Sequence, residues 1–138
     1  MKEQLKHGLW RWGPALLMMA LIFAASSLTN KVIPQFGPRD VFVKKGGHAL
    51  GYALLAAAYL HGLAGGRLVT GRHMLLAVLG ACLYAITDEY HQSFVPGRNP
   101  SPVDVLIDTG GAGLGVTGAA LIRIRARPGR PRPPSIPR

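Results

Sequence analysis

Acid is the scarcest ingredient of this chain. Only 6 of its 138 residues are Asp or Glu, and charged residues of both signs make up 16%, against roughly 25% in ordinary soluble domains. A soluble helical bundle needs a charged outer face on each helix. The long apolar stretches here offer none, which argues for a polytopic membrane protein instead. Cysteine is almost missing too. Cys82 alone, inside an apolar run, allows no intrachain disulfide, reads as a small packing residue and says nothing of redox compartment. HExxH, CxxC and EF-hand spacings are all absent, so neither a metal nor a cofactor is expected. Aromatic residues are 7% of the chain, and none accompanies the six arginines that follow residue 122. Stacking on nucleic acid needs such aromatics. The segment 123–138 is read instead as a disordered Arg/Pro-rich cytoplasmic tail lying on anionic lipid.

What the chain does have is apolar length. Four stretches, Leu9–Leu28, about Gly46–Ala64, His73 to about Tyr90 and Val103–Ile122, interrupt the charged connectors. Each runs about 18–20 residues, enough at 1.5 Å per residue to cross a hydrocarbon core of roughly 30 Å. None alternates like a strand, and backbone in lipid must close its hydrogen bonds locally. The expected fold is therefore all-α, a compact bundle of four transmembrane helices in one domain, residues 1–122. Trp10 and Trp12 stand where an interfacial aromatic belt belongs. A cleaved signal peptide is the rival reading of residues 1–26: Lys2, Lys6 and Arg11, then Ala15–Phe23, then Ala24-Ala25-Ser26 imitate its basic, apolar and small-residue regions.

Lys and Arg placement sets the orientation. Lys2, Lys6, Arg11, Arg67, Arg72 and the six tail arginines fall on one side of a four-span chain; Lys31, Arg39, Lys44, Lys45 and Arg98 fall on the other. Eleven against five predicts both termini inside. That topology brings the start of the second span, the end of the third and the start of the fourth to the outer face.

At that face the few acids concentrate. Four of the six, Asp88, Glu89, Asp104 and Asp108, fall within 21 residues, with His91, Gln92 and Arg98 among them. Clustered carboxylates beside apolar helices point to a built polar site, because lipid penalises them otherwise. Ser101-Pro102-Val103-Asp104 reads as a helix start, with Ser as N-cap, Pro at the first helical position and Asp104 placed to accept backbone donors. Asp108 lies one turn deeper, roughly 9 Å below Pro102, too deep to cap. Gly111, Gly115 and Gly118 leave a strip where another backbone can approach. Asp88 and Gln92 share a helix face, as do His48 and Tyr52, while Glu89 and His91 project elsewhere. Arg98, in the turn-rich Val95–Pro100 connector, is the expected counter-ion of these carboxylates or of an anionic substrate. His7, His61 and His73 lie towards the other side.

In this order the residues resemble the VanZ-like family. Lys45-x-x-His48-x-x-x-Tyr52, Asp88-Glu89-Tyr90-His91-Gln92-x-Phe94-x-Pro-Gly-Arg98 and Ser101-x-x-Asp104-x-x-x-Asp108-x-Gly110 carry the likeness, which covers most of Lys44–Ile122. The first span fits more loosely, through Ser26-Ser27, and the tail lies outside. The resemblance implies a small multi-pass protein of the bacterial inner membrane. The family's namesake is associated with teicoplanin resistance, a matter of the cell envelope, but most members occur apart from resistance clusters, so antibiotic resistance does not transfer as a native role. At position 108 the family also has Asn, so a charge there is not obligatory.

The leading expectation is an enzyme or enzyme-like protein acting on a lipid or envelope precursor at the outer leaflet. Asp88 or Glu89 would be the general acid/base with His48 assisting; Lys45, Tyr52, Gln92, Arg98, Asp104 and Asp108 would bind an anionic, lipid-linked substrate. A non-catalytic binding or assembly protein, its polar network structural, is the alternative. Proton-coupled transport ranks last, since His61 alone lies deeper toward the inside.

Overall fold

A computed structural model of the chain describes residues 2–28 and 40–126. Four helices, α1 (Lys2–Ser26), α2 (Asp40–Ala64), α3 (Gly71–Gln92) and α4 (Pro102–Arg125), account for nearly all of them, and no strand occurs among the described residues. Lys31, Arg39 and the tail from residue 127 on lie outside that description.

Each helix outruns its apolar stretch. α1 begins at Lys2, ahead of Leu9, and α2 at Asp40, ahead of Gly46-Gly47. Apolar length marks where a helix can sit in hydrocarbon, whereas a helix continues for as long as its backbone hydrogen bonds do. Lys44 and Lys45 thus belong to helical turns. α4 likewise continues through Arg123 and Arg125, residues expected in the tail. Two local starts are well specified. Thr70 caps α3 by accepting from His73 N at 3.3 Å while His73 Nδ1 accepts from Thr70 N at 3.3 Å, a capping box with histidine as its return arm. Ser101 caps α4, accepting from Val103 N at 3.2 Å.

The packing is small inside and large outside. Ala56, Ala77, Ala81, Ala85, Ala112 and Ala120 form the core with Tyr52, Leu55, Leu60 and Val116. Leu16, Leu17, Leu21, Leu50, Leu54, Leu79, Leu83, Leu106 and Leu114 are exposed. Exposed leucines on every helix far exceed what a soluble monomer shows, and small buried residues are the packing code of helices in lipid. By length and composition, Lys6–Ser26 and Pro102–Arg125 can each cross a membrane.

α4 packs most extensively on α2. A Cβ at Gly111 would run into the backbone of Ala49, and one at Gly115 into that of Ala53. These contacts rise together along both chains, so α2 and α4 run parallel, with backbones nearly touching. The expected glycine strip is therefore real but shorter than expected: Gly118 faces open space, one turn past the point where the helices are closest.

At the end where α1 and α3 begin, Arg11 donates to the carbonyl of Gly62 through Nε (3.1 Å) and Nη2 (2.7 Å), and Trp12 lies against Gly62 so closely that a Cβ there would come within 2.7 Å of the indole. Arg123 Nη2 meets His61 Nδ1 at 2.8 Å. Because guanidinium only donates, His61 accepts. These contacts close the far end of the bundle, remote from Asp88, Asp104 and Asp108.

Candidate functional site

The opposite end is assembled by α2 and α4 starting side by side while α1 and α3 finish beside them. Parallel helices in close contact put residues of equal depth opposite one another. Lys45 of α2 pairs with Asp104 of α4. Roughly one turn deeper, His48 Nδ1 stands 3.6 Å from Asp108 Oδ2. Below that come the Ala49–Gly111 and Ala53–Gly115 contacts. The two polar rungs and the glycine seam form one ladder, so the seam sets the distance across which the rungs face each other. The upper pair is partly exposed, with side chains at 38% and 27%, and a pair in that setting adds little stability by itself.

A second layer ties α3 into this ladder. Asp88 Oδ2 accepts from Ser26 Oγ of α1 at 2.8 Å and from Gln92 Nε2 at 3.0 Å, all three residues being buried. Gln92 Nε2 also approaches Glu89 Oε1 at 3.4 Å. Glu89 Oε2 accepts from the backbone N–H of Ser101 at 2.8 Å. That last bond corrects two expectations. Asp104 does not return the cap at the start of α4, since Lys45 holds it; Glu89 reaches across the connector and does so in its place. Nor does Glu89 project away from Asp88 and Gln92. It is buried beside them, because a carboxylate one residue along the helix can lean towards a donor supplied by another element.

Arg98 differs as well. Expected as a counter-ion, it donates from Nε to Leu28 O (3.2 Å) and from Nη2 to Ala25 O (3.0 Å). Those carbonyls end α1, where the helix dipole favours a cation. His91 faces α1 too, with Nε2 3.1 Å from Ser27 Oγ and its ring over Phe23 at 4.5 Å between centroids. Tyr52, grouped with His48 by spacing, is completely buried, its ring 6.2 Å from that of Tyr84. Tyr84 donates to Met19 O at 2.7 Å.

Between the rungs and the connector lies a cavity of about 270 Å³. Lys44, Lys45 and His48 line it from α2, Glu89 and Gln92 from α3, Arg98 and Asn99 from the connector, and Asp104, Ile107 and Asp108 from α4. Imidazole, guanidinium and carboxylates from distant parts of the chain thus meet in one space. Asp88 and Tyr52 do not line it; they sit in the packed layer nearby. Spacing did not single out Asn99, Ile107 or Ser26. Only Ser26 carried a signal, as a hydroxyl at the end of a long apolar run.

One group in the cavity is poorly served. Asp108 is 1% exposed, and neither of its oxygens has a hydrogen-bond partner among the described residues. The other two carboxylates there each have a donor. No group of His, Cys, Asp and Glu suited to hold a metal ion is found among the described residues.

Small side chains inside, leucines outside, two helices of membrane-crossing length and a charged cavity at one end define a small helical membrane protein. The VanZ/LLP1 family profile matches residues 12–123, and the chain belongs to that family. No curated protein and no solved structure matches it.

Proposed function

We propose that the chain is a four-span protein of the bacterial inner membrane with both termini inside, and that its cavity opens at the outer face to bind the polar head of a lipid or lipid-linked envelope precursor. One observation carries this reading: charged groups from α2, α3, the connector and α4 line a single cavity at one end of a bundle whose flanks are leucine. A ligand with acyl or polyprenyl chains would rest on those flanks with its head in the cavity. Lys44, Lys45 and Arg98 supply positive charge at the mouth, and His48 with Asp108 or Glu89 can exchange a proton with whatever enters.

A structural reading of part of the network also has direct support. Asp88 ties α1 to α3, Glu89 caps α4 and Arg98 caps α1. Each of these bonds fixes a helix end. Asp88 is accordingly proposed as a positioning group and His48, Glu89 and Asp108 as the groups facing the ligand.

Two measurements test the proposal. With Cys82 replaced by Ser, a cysteine at Ser101 should react with a membrane-impermeant thiol reagent added outside intact cells, and one at Arg67 should not; the reverse pattern overturns the orientation. The purified chain should bind short-chain lipids or lipid-linked precursors, and Glu89→Gln or His48→Ala should weaken that binding at least about tenfold, the scale of one charge-assisted hydrogen bond. Turnover of such a precursor by wild type but not by Glu89→Gln would establish catalysis. Absence of binding to any of them would sink the reading.

A further inference from the structure

The occupant of the cavity can be narrowed to a chemical class, an inference that rests on the headgroup reading above. The starting point is Asp108. Its side chain lines the cavity, is 99% withdrawn from solvent and has no hydrogen-bond partner for either oxygen among the described residues. The basic group facing it, His48 Nδ1, stands at 3.6 Å, an ion-pair contact when the ring is protonated but longer than a hydrogen bond. A carboxylate only accepts, so what Asp108 calls for is an N–H or O–H donor. It has no freedom to turn away and find one. Gly111, three residues on, lies in backbone contact with Ala49, which fixes both the rotation and the depth of α4.

The charges of the cavity are also layered. Lys44, Lys45 and Arg98 are half-exposed, while Asp108 and Glu89 are buried. Counting Asp104, which Lys45 holds, three cations face three carboxylates, with the His48 imidazole beside Asp108. A purely anionic head would be drawn to the mouth and repelled from the floor. A simple cation would meet the reverse. A ligand carrying both signs meets neither penalty. The spacing it requires is that of one helical turn, since Asp108 lies four residues below Asp104, about 6 Å along the axis. A two-carbon link between amine and phosphate matches such a step, with the phosphate lying slightly above the Lys45 level.

We propose that the cavity binds a zwitterionic aminoethyl-phosphate headgroup, its primary ammonium donating to Asp108 and its phosphate held at the mouth by Lys44, Lys45 and Arg98. The requirement for N–H donors makes the selectivity sharp. Replacing the ammonium hydrogens with methyl groups keeps the charge and removes what Asp108 lacks.

The test uses the whole chain in detergent and a short-chain fluorescent phosphatidylethanolamine, displaced by dihexanoyl lipids whose amine carries zero, one, two or three methyl groups. Affinity should fall along the series, by about tenfold or more between the primary amine and the fully methylated choline lipid. Asp108→Asn should flatten the series. Equal binding of ethanolamine and choline lipids to wild type overturns the inference; because that comparison needs no variant, it decides even if Asp108→Asn fails to accumulate. Phosphatidylglycerol binding more tightly than phosphatidylethanolamine overturns the amine assignment while leaving the headgroup reading intact. Binding of no lipid at all removes both. Free phosphoethanolamine competing as well as the lipid upholds the chemistry and assigns a soluble ligand; its failure to compete upholds the chemistry and assigns the membrane lipid.

Discussion

At the far end of the bundle, polar side chains finish the backbone. Arg11 meets the carbonyl of Gly62, Arg123 meets His61, and Thr70 exchanges bonds with His73; the described acid there, Glu3, pairs with Lys6 at the surface. At the site end the same residue types do more than that. Ser26, Asp88, Gln92 and Glu89 link three helices and a connector, and above them charged groups surround a cavity that contains an unserved carboxylate. Among the described residues the far end is therefore closed and satisfied, while the site end is open and keeps a carboxylate without a hydrogen bond. The glycine seam connects the two, since it fixes how α2 and α4 face each other along both.

The sharpest way to break that contrast is at the seam. Gly115→Val puts side-chain atoms into the backbone of Ala53, which no rotamer change relieves. The loss should exceed the 1–3 kcal/mol usual for overpacking and show as loss of folded protein by size-exclusion chromatography in detergent. Gly118→Val, in open space on the same helix, should be neutral or slightly stabilising, since Val has the higher helix propensity. Equal damage from both would mean that close backbone contact does not organise the ladder.

Next in size is the tie between α1 and α3. Asp88→Ala leaves Ser26 and Gln92 without their shared acceptor inside a buried layer. Gln92 keeps Glu89 at 3.4 Å, but Ser26 becomes an orphaned buried donor, which costs about 1–3 kcal/mol, so the apparent thermal midpoint should fall clearly. Ser26→Ala should fall by less, since Asp88 keeps Gln92. An Asp88→Ala protein as stable as wild type would refute the positioning role assigned to Asp88.

Much of this was legible in the chain itself. Apolar length located four helices, the clustering of scarce acids pointed to the end where the cavity lies, and Gly111 and Gly115 announced a close approach. What spacing could not reveal was which groups meet between helices. Asp104 stood at the right distance from Ser101 to cap it, yet Lys45 from another helix takes Asp104 and Glu89 takes the cap. Arg98 stood among carboxylates in sequence, yet the nearer claim on it comes from the carbonyls that end α1. Tyr52 shares a helix face with His48, but a full turn of depth separates a cavity wall from a packed interior. Each of these depends on the mutual register of two helices, which the backbone contacts of the seam determine and local periodicity does not encode.

Asp108 offers the third comparison, with Asp88 as its reference. Both are buried carboxylates, but Asp88 accepts hydrogen bonds at 2.8 and 3.0 Å, whereas Asp108 has the His48 ring at 3.6 Å. Asp108→Asn removes a buried charge whose facing basic group, His48, stands at 3.6 Å, and keeps the side chain's shape. The amide keeps an acceptor oxygen facing His48, so stability should stay within about 1 kcal/mol of wild type, the scale of one net hydrogen bond. Headgroup binding should fall at the same time. A loss of stability as large as that of Asp88→Ala would show that Asp108 is held by the fold and is not reserved for a ligand.

The smallest effect belongs to the far end. Arg123→Gln removes the donor to His61 Nδ1 in a region where no cavity-lining group lies. A part-buried hydrogen bond of this kind contributes about 0.5–1.5 kcal/mol, and the amide of Gln can recover some of it. The thermal midpoint should therefore drop slightly while lipid binding stays at the wild-type value. The second half of that expectation matters more than the first. The seam holds α2 and α4 in register between the two ends, so a change that leaves Gly111 and Gly115 in place should not reach His48 or Asp108. Should Arg123→Gln alter headgroup affinity severalfold without unfolding the chain, the ends would be coupled through motion of α4, and the picture of a closed end serving as passive support for an open one would have to be replaced by one in which α4 slides against α2.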